Sequence, residues 1–182
     1  TQDILAAFEN LPTEKIIILP NNKNIIMAAN QAKDVTVKQV EVIPSRTVPQ
    51  GLAAMLSLQP NGEVGPVAEK MTKALSTVQT GEITVAVRSV EIDGVHCDSG
   101  QVIALLDGKL VASADSLEEA CVRLLKRAKA SEHELITFYF GEDLPHADAH
   151  RVADMIREKY PEQEIEVQDG GQPHYQFIIS VE

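Results

Sequence analysis

The chain has 182 residues, 44% of them apolar, and its 16 lysines and arginines against 27 aspartates and glutamates give a formal net charge of −11. This length allows a core of ordinary size without disulfides, and the acidity excludes a generic nucleic-acid binder, because phosphate binding needs a basic face. It also disfavours docking on an anionic membrane surface, and no apolar run approaches the roughly 18 residues that a membrane-spanning helix needs.

Apolar periodicity predicts the elements of the first half of the chain, beginning with a short helix over 3–11 that Pro12 ends. The continuous run KIIIL that follows at 15–19 predicts a central strand covered on both faces. The remaining elements of this half are a helix over 24–33, a strand over 39–43, and helices over 51–58 and 64–78.

The second half opens with a predicted antiparallel meander over 83–113, in which Asp93-Gly94 and Asp107-Gly108 are the tight-turn dipeptides. Ser116 and Glu119 have the spacing of a capping box and predict the start of a helix. Further along lie a strand over 135–140, a helix over 146–160, and strands over 165–167 and 175–181.

These elements predict an α/β fold in which a strand–helix–strand unit occurs twice. We expect a first βαβ lobe over 1–79, a central antiparallel β-meander over 80–114 and a second βαβ lobe over 115–182. Sequence identity between the two lobes is low, which favours shared architecture over recent duplication.

Cysteine usage is sparse. Cys97 and Cys121 are the two cysteines, and neither a CxxC pair nor a cysteine–histidine zinc spacing is present. A reducing, cytoplasmic location is therefore expected. Because the sequence begins at Thr1 and not at methionine, we also expect it to be part of a longer protein.

The loop PNNKN at 20–24 lies between a predicted buried strand and a helix, where open α/β sheets bind their ligands. Asn21, Asn22 and Asn24 each have an ordinary structural explanation, since asparagine caps helices and tolerates left-handed backbone. Three amides in four positions exceed what one cap requires. We therefore carry both interpretations, capping and recognition.

A second candidate loop, SRTVPQG at 45–51, follows the next strand. Thr47 and Gln50 fit a capping box, and Arg46 with the free amides at a helix start is suited to hold an anion. A capped helix with a solvated arginine is favoured over anion binding. No GxxxxGK[ST] or GxGxxG phosphate motif is present.

The remaining candidates are scattered. Glu142 follows an apolar strand and is suited to acid–base or metal chemistry, although no second carboxylate loop pairs with it. Arg88 lies inside a predicted strand and needs a carboxylate if it is buried. Gln172 lies in a Gly-Gly-Gln-Pro turn. His146 and His150 are four residues apart, but they lack the third ligand that a metal site requires.

Six sequence blocks occur in an order that resembles the C-terminal region of the large subunit of bacterial fatty acid kinase, a dihydroxyacetone-kinase-like protein. They are spread over 15–182, nearly the whole chain. The blocks are ILPNNKNIIMAANQA, VIPSRTVPQGLAAML, GEITVAVRSVEIDG, VIALLDGKLVAS, TFYFGED and VQDGGQPHYQFIISVE.

The resemblance implies a DegV-like α/β domain of a kinase that phosphorylates a fatty acid held by a separate DegV-type binding protein. ATP and magnesium are expected in the parent protein's kinase domain, so no catalytic, cofactor-binding or metal-binding residue is assigned here. The implied role is engagement of that fatty-acid-binding partner, and a homodimer is also compatible with the sequence. The alternatives are a module that binds a fatty acid or an anion itself and, ranked lower, a stand-alone enzyme using Glu142 or His146.

The net charge adds one expectation about the partner. A strongly acidic domain with few concentrated catalytic groups suits a docking surface better than an active site. Such a surface favours a partner with a basic patch, and the association should weaken as salt rises.

Overall fold

The computed structural model describes residues 1–92 and 94–182. It divides into two compact units, Thr1–Val78 and Gln79–Glu182. Asp93, one half of the predicted Asp93-Gly94 turn, lies outside the described residues. The units are treated separately below.

The first unit is built around two parallel strands joined by a helix. Its elements are α1 (Gln2–Glu9), β1 (Lys15–Ile18), α2 (Ile26–Val35), β2 (Gln39–Val42), α3 (Val48–Leu56) and α4 (Val64–Ala74). Strand β1 pairs with β2 in parallel, with Lys15 opposite Gln39 and Ile18 opposite Val42. The first predicted βαβ unit is therefore confirmed.

Strand β1 was predicted to be central, which is wrong. Within the described residues it has β2 as its one neighbour in the sheet. The predicted cover on both faces is confirmed, because Ile16 packs with Phe8 in one cluster while Ile17 lies against a second cluster around Met71. An apolar run reports that both faces of a strand are covered, and it carries no information on the number of strands beside it.

The second unit contains a six-stranded sheet. Its elements are β3 (Gln79–Val85), β4 (Val90–Ile92), β5 (Val95–Cys97), β6 (Val102–Leu106), β7 (Lys109–Ala114), α5 (Leu117–Arg127), β8 (Leu135–Phe140), α6 (His146–Lys159), β9 (Glu164–Asp169) and β10 (Phe177–Val181). The strand order is β7-β6-β3-β10-β8-β9. Strands β8 and β9 are parallel and every other neighbouring pair in this sheet is antiparallel.

The strands assigned from sequence to the meander and to the second βαβ lobe lie in this one sheet. Strand β10 joins them, since Phe177 is opposite Ile83 of β3 on one side and Phe140 of β8 on the other. Strands β4 and β5 form a separate antiparallel hairpin. The mixed α/β class is confirmed.

Two local signals in the second unit are confirmed in detail. Asp107 and Gly108 connect β6 to β7 with φ angles of 49° and 80°, and positive φ at both positions is what a type I′ hairpin turn requires. The Ser116 hydroxyl accepts a hydrogen bond from the Glu119 amide at 3.2 Å, so it caps α5. Cys121 is fully buried on the apolar face of that helix.

Candidate functional site

The two loops predicted as candidates in the first unit are in direct contact, because both follow the carboxyl ends of parallel strands. The Asn21 amide donates to the Ser45 hydroxyl at 3.0 Å, and that hydroxyl donates to Asn21 Oδ1 at 2.8 Å. Ser45 is fully buried, and Asn21 has a φ of 54°, a left-handed conformation that asparagine adopts more readily than most residues. The pair ties the loop after β1 to the loop after β2.

The side chain of Asn21 also lies against the first turn of α3. A Cβ atom built on Gly51 would be 2.1 Å from Asn21 Oδ1, so residue 51 has no room for a side chain while Asn21 keeps this position. The space between the two loops is therefore filled by the protein's own amide group.

The other two asparagines have a simpler role. Asn22 Oδ1 accepts a hydrogen bond from the Asn24 amide at 2.9 Å, which forms an Asx turn leading into α2. Both side chains are exposed. The helix begins at Ile26, two residues later than predicted, and Ile25 at its N-cap position makes no side-chain capping bond. The predicted capping of α2 by an asparagine is wrong, since these amides order the preceding turn.

The predicted cap of α3 is confirmed. Thr47 Oγ1 accepts from the Gln50 amide at 3.3 Å, and Gln50 Oε1 accepts from the Arg46 amide at 2.8 Å. The Gly51 amide donates to the Thr47 carbonyl. Three of the backbone donors that an anion would use are thus occupied, whereas the Arg46 side chain remains exposed.

Helix α3 has an exposed apolar stripe that the sequence analysis missed. Val48, Leu52, Met55 and Leu56 are exposed by 47%, 42%, 49% and 85%, and their spacing places them on one side of the helix. The buried side consists of small residues around Ala53 and Ala54. The available signal was the segment VPQGLAAML itself, which is apolar all round although it lies at the surface.

In the second unit the structure brings Glu142 and Gln172 together through the backbone. The Glu142 amide donates to the Gln172 carbonyl at 3.1 Å, and Gln172 Nε2 donates to the Tyr139 carbonyl at 2.8 Å. A Cβ on Gly141 would be 2.1 Å from the Tyr175 carbonyl oxygen. Gln172 therefore holds the turn in place, and the Glu142 side chain is exposed.

Arg88 was predicted inside a strand, which is wrong. Strand β3 ends at Val85 because the amide of Ala86 pairs with Gln101, and the chain then turns away into the β4–β5 hairpin. Arg88 lies in this bend with its side chain exposed. The question of a buried carboxylate partner does not arise.

The histidine pair on α6 forms an aromatic stack at the start of the helix. The ring centroids of His146 and His150 are 4.3 Å apart, and His146 meets the edge of Phe140 at 5.3 Å. Among residues 1–92 and 94–182, no group of three or more His, Cys, Asp or Glu side chains is placed to hold a metal ion. In strand β5 Cys97 is buried while the adjacent His96 is exposed, so the two point to opposite faces.

No helix in the described part of the chain is both long and apolar enough to cross a membrane.

Several proteins of known fold or sequence are similar to this chain. Protein YloV of Bacillus subtilis is 37% identical over 182 residues, and an uncharacterized protein of Staphylococcus epidermidis is 36% identical over the same length. The chain covers 33% of each of these relatives, so it spans about a third of their length.

Solved structures show the fold. A DegV family protein from Corynebacterium glutamicum matches with a TM-score of 0.71 at 14% identity, over 99% of this chain and 81% of that one. The Streptococcus pneumoniae fatty acid kinase B3 protein, loaded with linoleic acid, matches with a TM-score of 0.70 at 14% identity, over 100% of this chain and 75% of that one. The fold is thus DegV-like.

The family model that matches residues 1–182 is that of the FakA-like C-terminal domain of fatty acid kinase. The chain belongs to the family of FakA-like C-terminal domains of fatty acid kinase.

Proposed function

We propose that this chain is the accessory, partner-binding domain of a fatty acid kinase large subunit, and that its partner is a DegV-type protein that carries the fatty acid. Family membership supports the kinase context. The DegV-like fold is shared with proteins such as the linoleate-loaded fatty acid kinase B3 protein. In this proposal ATP and magnesium bind in the parent protein's kinase domain, and the complex works in the cytoplasm.

The observation that carries the proposal is the closed contact between the two loops of the first unit. Asn21 and Ser45 satisfy each other, and the amides near the start of α3 bind Thr47 and Gln50. A site for a small anion needs donors that are free to bind it. Loops that bind each other, beside an exposed apolar helix, suit contact with a macromolecule better than capture of a carboxylate.

The test compares the full-length kinase subunit with a form lacking residues 1–182. We expect the deletion to abolish measurable binding of the DegV-type protein and to reduce turnover of the carried fatty acid, while ATP binding by the kinase domain is retained. Binding is measured by biolayer interferometry and turnover by acyl-phosphate formation. Unchanged partner affinity after the deletion would contradict the proposal.

Calorimetry of the full-length subunit with free fatty acid separates the alternative of a lipid-binding module. Heat of binding that disappears when residues 1–182 are deleted, without any partner protein present, would favour that alternative. Homodimer formation is a separate prediction, and sedimentation velocity tests it.

A further inference from the structure

We infer that the exposed stripe of α3, together with the first turn of α2, is the face through which this domain docks on its protein partner. The docking face is defined here by Val48, Leu52, Met55 and Leu56 of α3 and by Ile25 and Met27 of α2. The inference rests on the proposed function, because it names the surface that carries out the partner binding proposed above.

The first support is the amount of apolar side chain left in solvent. Met27 is 72% exposed and Ile25 is 42% exposed at the start of α2, in addition to the α3 stripe. Scattered exposed apolar residues are normal on a protein surface, whereas a clustered set marks an interaction site. Helices α2 and α3 begin at the same edge of the β1–β2 sheet, since each follows the carboxyl end of one of the two parallel strands.

The second support is the rigidity of this face. The Asn21–Ser45 hydrogen bonds and the contact of Asn21 with Gly51 tie the start of α3 to the loop before α2. Pre-ordering lowers the entropy that an interface loses on binding. An apolar face built on two tied helix starts is therefore presented in one arrangement.

The third support is charge. Segments 20–32 and 44–62 contain Lys23 and Arg46 but no aspartate or glutamate, in a chain with 27 acidic residues. Both cations are exposed. An apolar centre with a cationic rim is complementary to a protein surface that has an apolar centre and a rim of carboxylates. The occupant of this face is thus a partner with acidic rim residues.

This result reverses the charge expectation for this face. The net charge of −11 favours a basic partner if the charge is spread evenly, but the local charge of the docking face is positive. A two-fold dimer through the same face would bring Lys23 and Arg46 of one copy close to those of the other. A different protein is therefore a better occupant than a second copy.

The test places one charge in the middle of the face. Leu52→Asp and Met55→Asp are made in the full-length subunit, and its affinity for the DegV-type protein is measured by biolayer interferometry. Because a buried charge at an interface centre stays unpaired, we expect each change to weaken binding by about tenfold or more. Leu52→Ser is a milder second variant, with an expected loss of about threefold.

Matched controls make the same change at other exposed valines. Val37 is 99% exposed and Val87 is 91% exposed, so Val37→Asp and Val87→Asp should leave the affinity within about twofold of wild type. Thermal unfolding of every variant checks that the fold is intact. The double variant Lys23→Glu with Arg46→Glu should weaken binding and flatten its salt dependence.

The outcomes separate the inference from the proposed function. If the wild-type subunit binds the DegV-type protein and Leu52→Asp, Met55→Asp and Leu52→Ser all bind equally well, the docking face is assigned wrongly. If the wild-type subunit does not bind it at all, the proposed function fails. If Leu52→Asp turns a dimer into a monomer in sedimentation velocity while partner affinity is unchanged, a second copy occupies the face and the inference is overturned.

Discussion

The two units of this chain differ in how they divide charge and apolar surface. The first unit, Thr1–Val78, has seven acidic and seven basic residues, whereas Gln79–Glu182 has 20 acidic and nine basic residues. The entire net charge of −11 thus belongs to the second unit. Most of the large apolar side chains that are exposed belong to the first unit, in particular those of α3.

Their cores differ in the same sense. In the second unit one continuous cluster surrounds Phe138 and Phe177, whose rings meet edge to face at 5.2 Å. In the first unit the apolar residues form two smaller clusters on the two faces of a two-stranded sheet. The comparison teaches that the six-stranded unit buries its apolar surface internally, while the smaller unit leaves part of its own available to a partner.

The largest expected effect comes from truncating the core of the second unit. Phe138→Ala should lower the free energy of unfolding by about 3–5 kcal/mol, because it removes a fully buried ring and leaves a cavity. Phe8→Ala in the first unit should cost less, since the partly exposed Ile4 and Leu5 lie beside Phe8 and water can reach the gap. Urea unfolding measures both, and equal losses would break the comparison of the two cores.

A pair of glycines tests how tightly the loops of the two units are closed. Gly141→Ala should cost about 1–3 kcal/mol, because the added Cβ meets the backbone carbonyl oxygen of Tyr175 at 2.1 Å. Gly51→Ala should cost less, since the atom it meets is the movable side-chain oxygen of Asn21. Gly65→Ala is the control, as its Cβ would have nothing within 4 Å. A Gly51→Ala loss larger than that of Gly141→Ala would contradict this ranking.

The loop pair of the first unit is tested by Ser45→Ala. Removing this buried hydroxyl leaves the Asn21 amide and Oδ1 without the bonds described above, and we expect a loss of about 1–2 kcal/mol. Ser76→Ala changes an exposed serine of the same unit and should stay within about 0.5 kcal/mol. Thermal and urea unfolding give both values. A neutral Ser45→Ala would show that the closed loops do not depend on this contact.

The smallest expected effect concerns the acidic character of the second unit. Burial, with a further contribution from the negative charge of Asp107, raises the pKa of Glu82 above its usual range. The folded state then binds more protons than the unfolded state, so stability falls as pH rises from about 4.5 through the folded pKa of Glu82.

Glu82→Gln should therefore be more stable than wild type at pH 7, and the advantage should disappear at pH 4. Urea unfolding at both pH values measures the difference. Glu91→Gln removes the same charge at an exposed position of the same unit and serves as the control. An advantage of Glu82→Gln that is unchanged at pH 4 would exclude titration of Glu82 as its cause.

Much of the fold was predictable because its signals are local. The Ser116–Glu119 spacing started α5 correctly, and Asp107-Gly108 formed the expected turn. Both depend on atoms a few residues apart. The strand containing Arg88 was predicted too long, since its end is decided by the pairing of Ala86 with Gln101, a residue on another segment.

The candidate site was predictable in part for a different reason. Parallel strands end at one edge of a sheet, so the loops of Asn21 and Ser45 had to come close. Whether their polar groups would stay free for a ligand depended on side-chain geometry that spacing does not contain. The structure shows Asn21 and Ser45 bonded to each other.

The sequence by itself determined the family, the α/β class, both βαβ units and the helix cap at Thr47. Only the tertiary structure decided that β10 lies between β3 and β8, and that Leu52 and Met55 remain in solvent. The physical reason is range. Caps, turns and helix periodicity arise from neighbours in the chain, whereas strand order and exposure depend on which distant segments pack together.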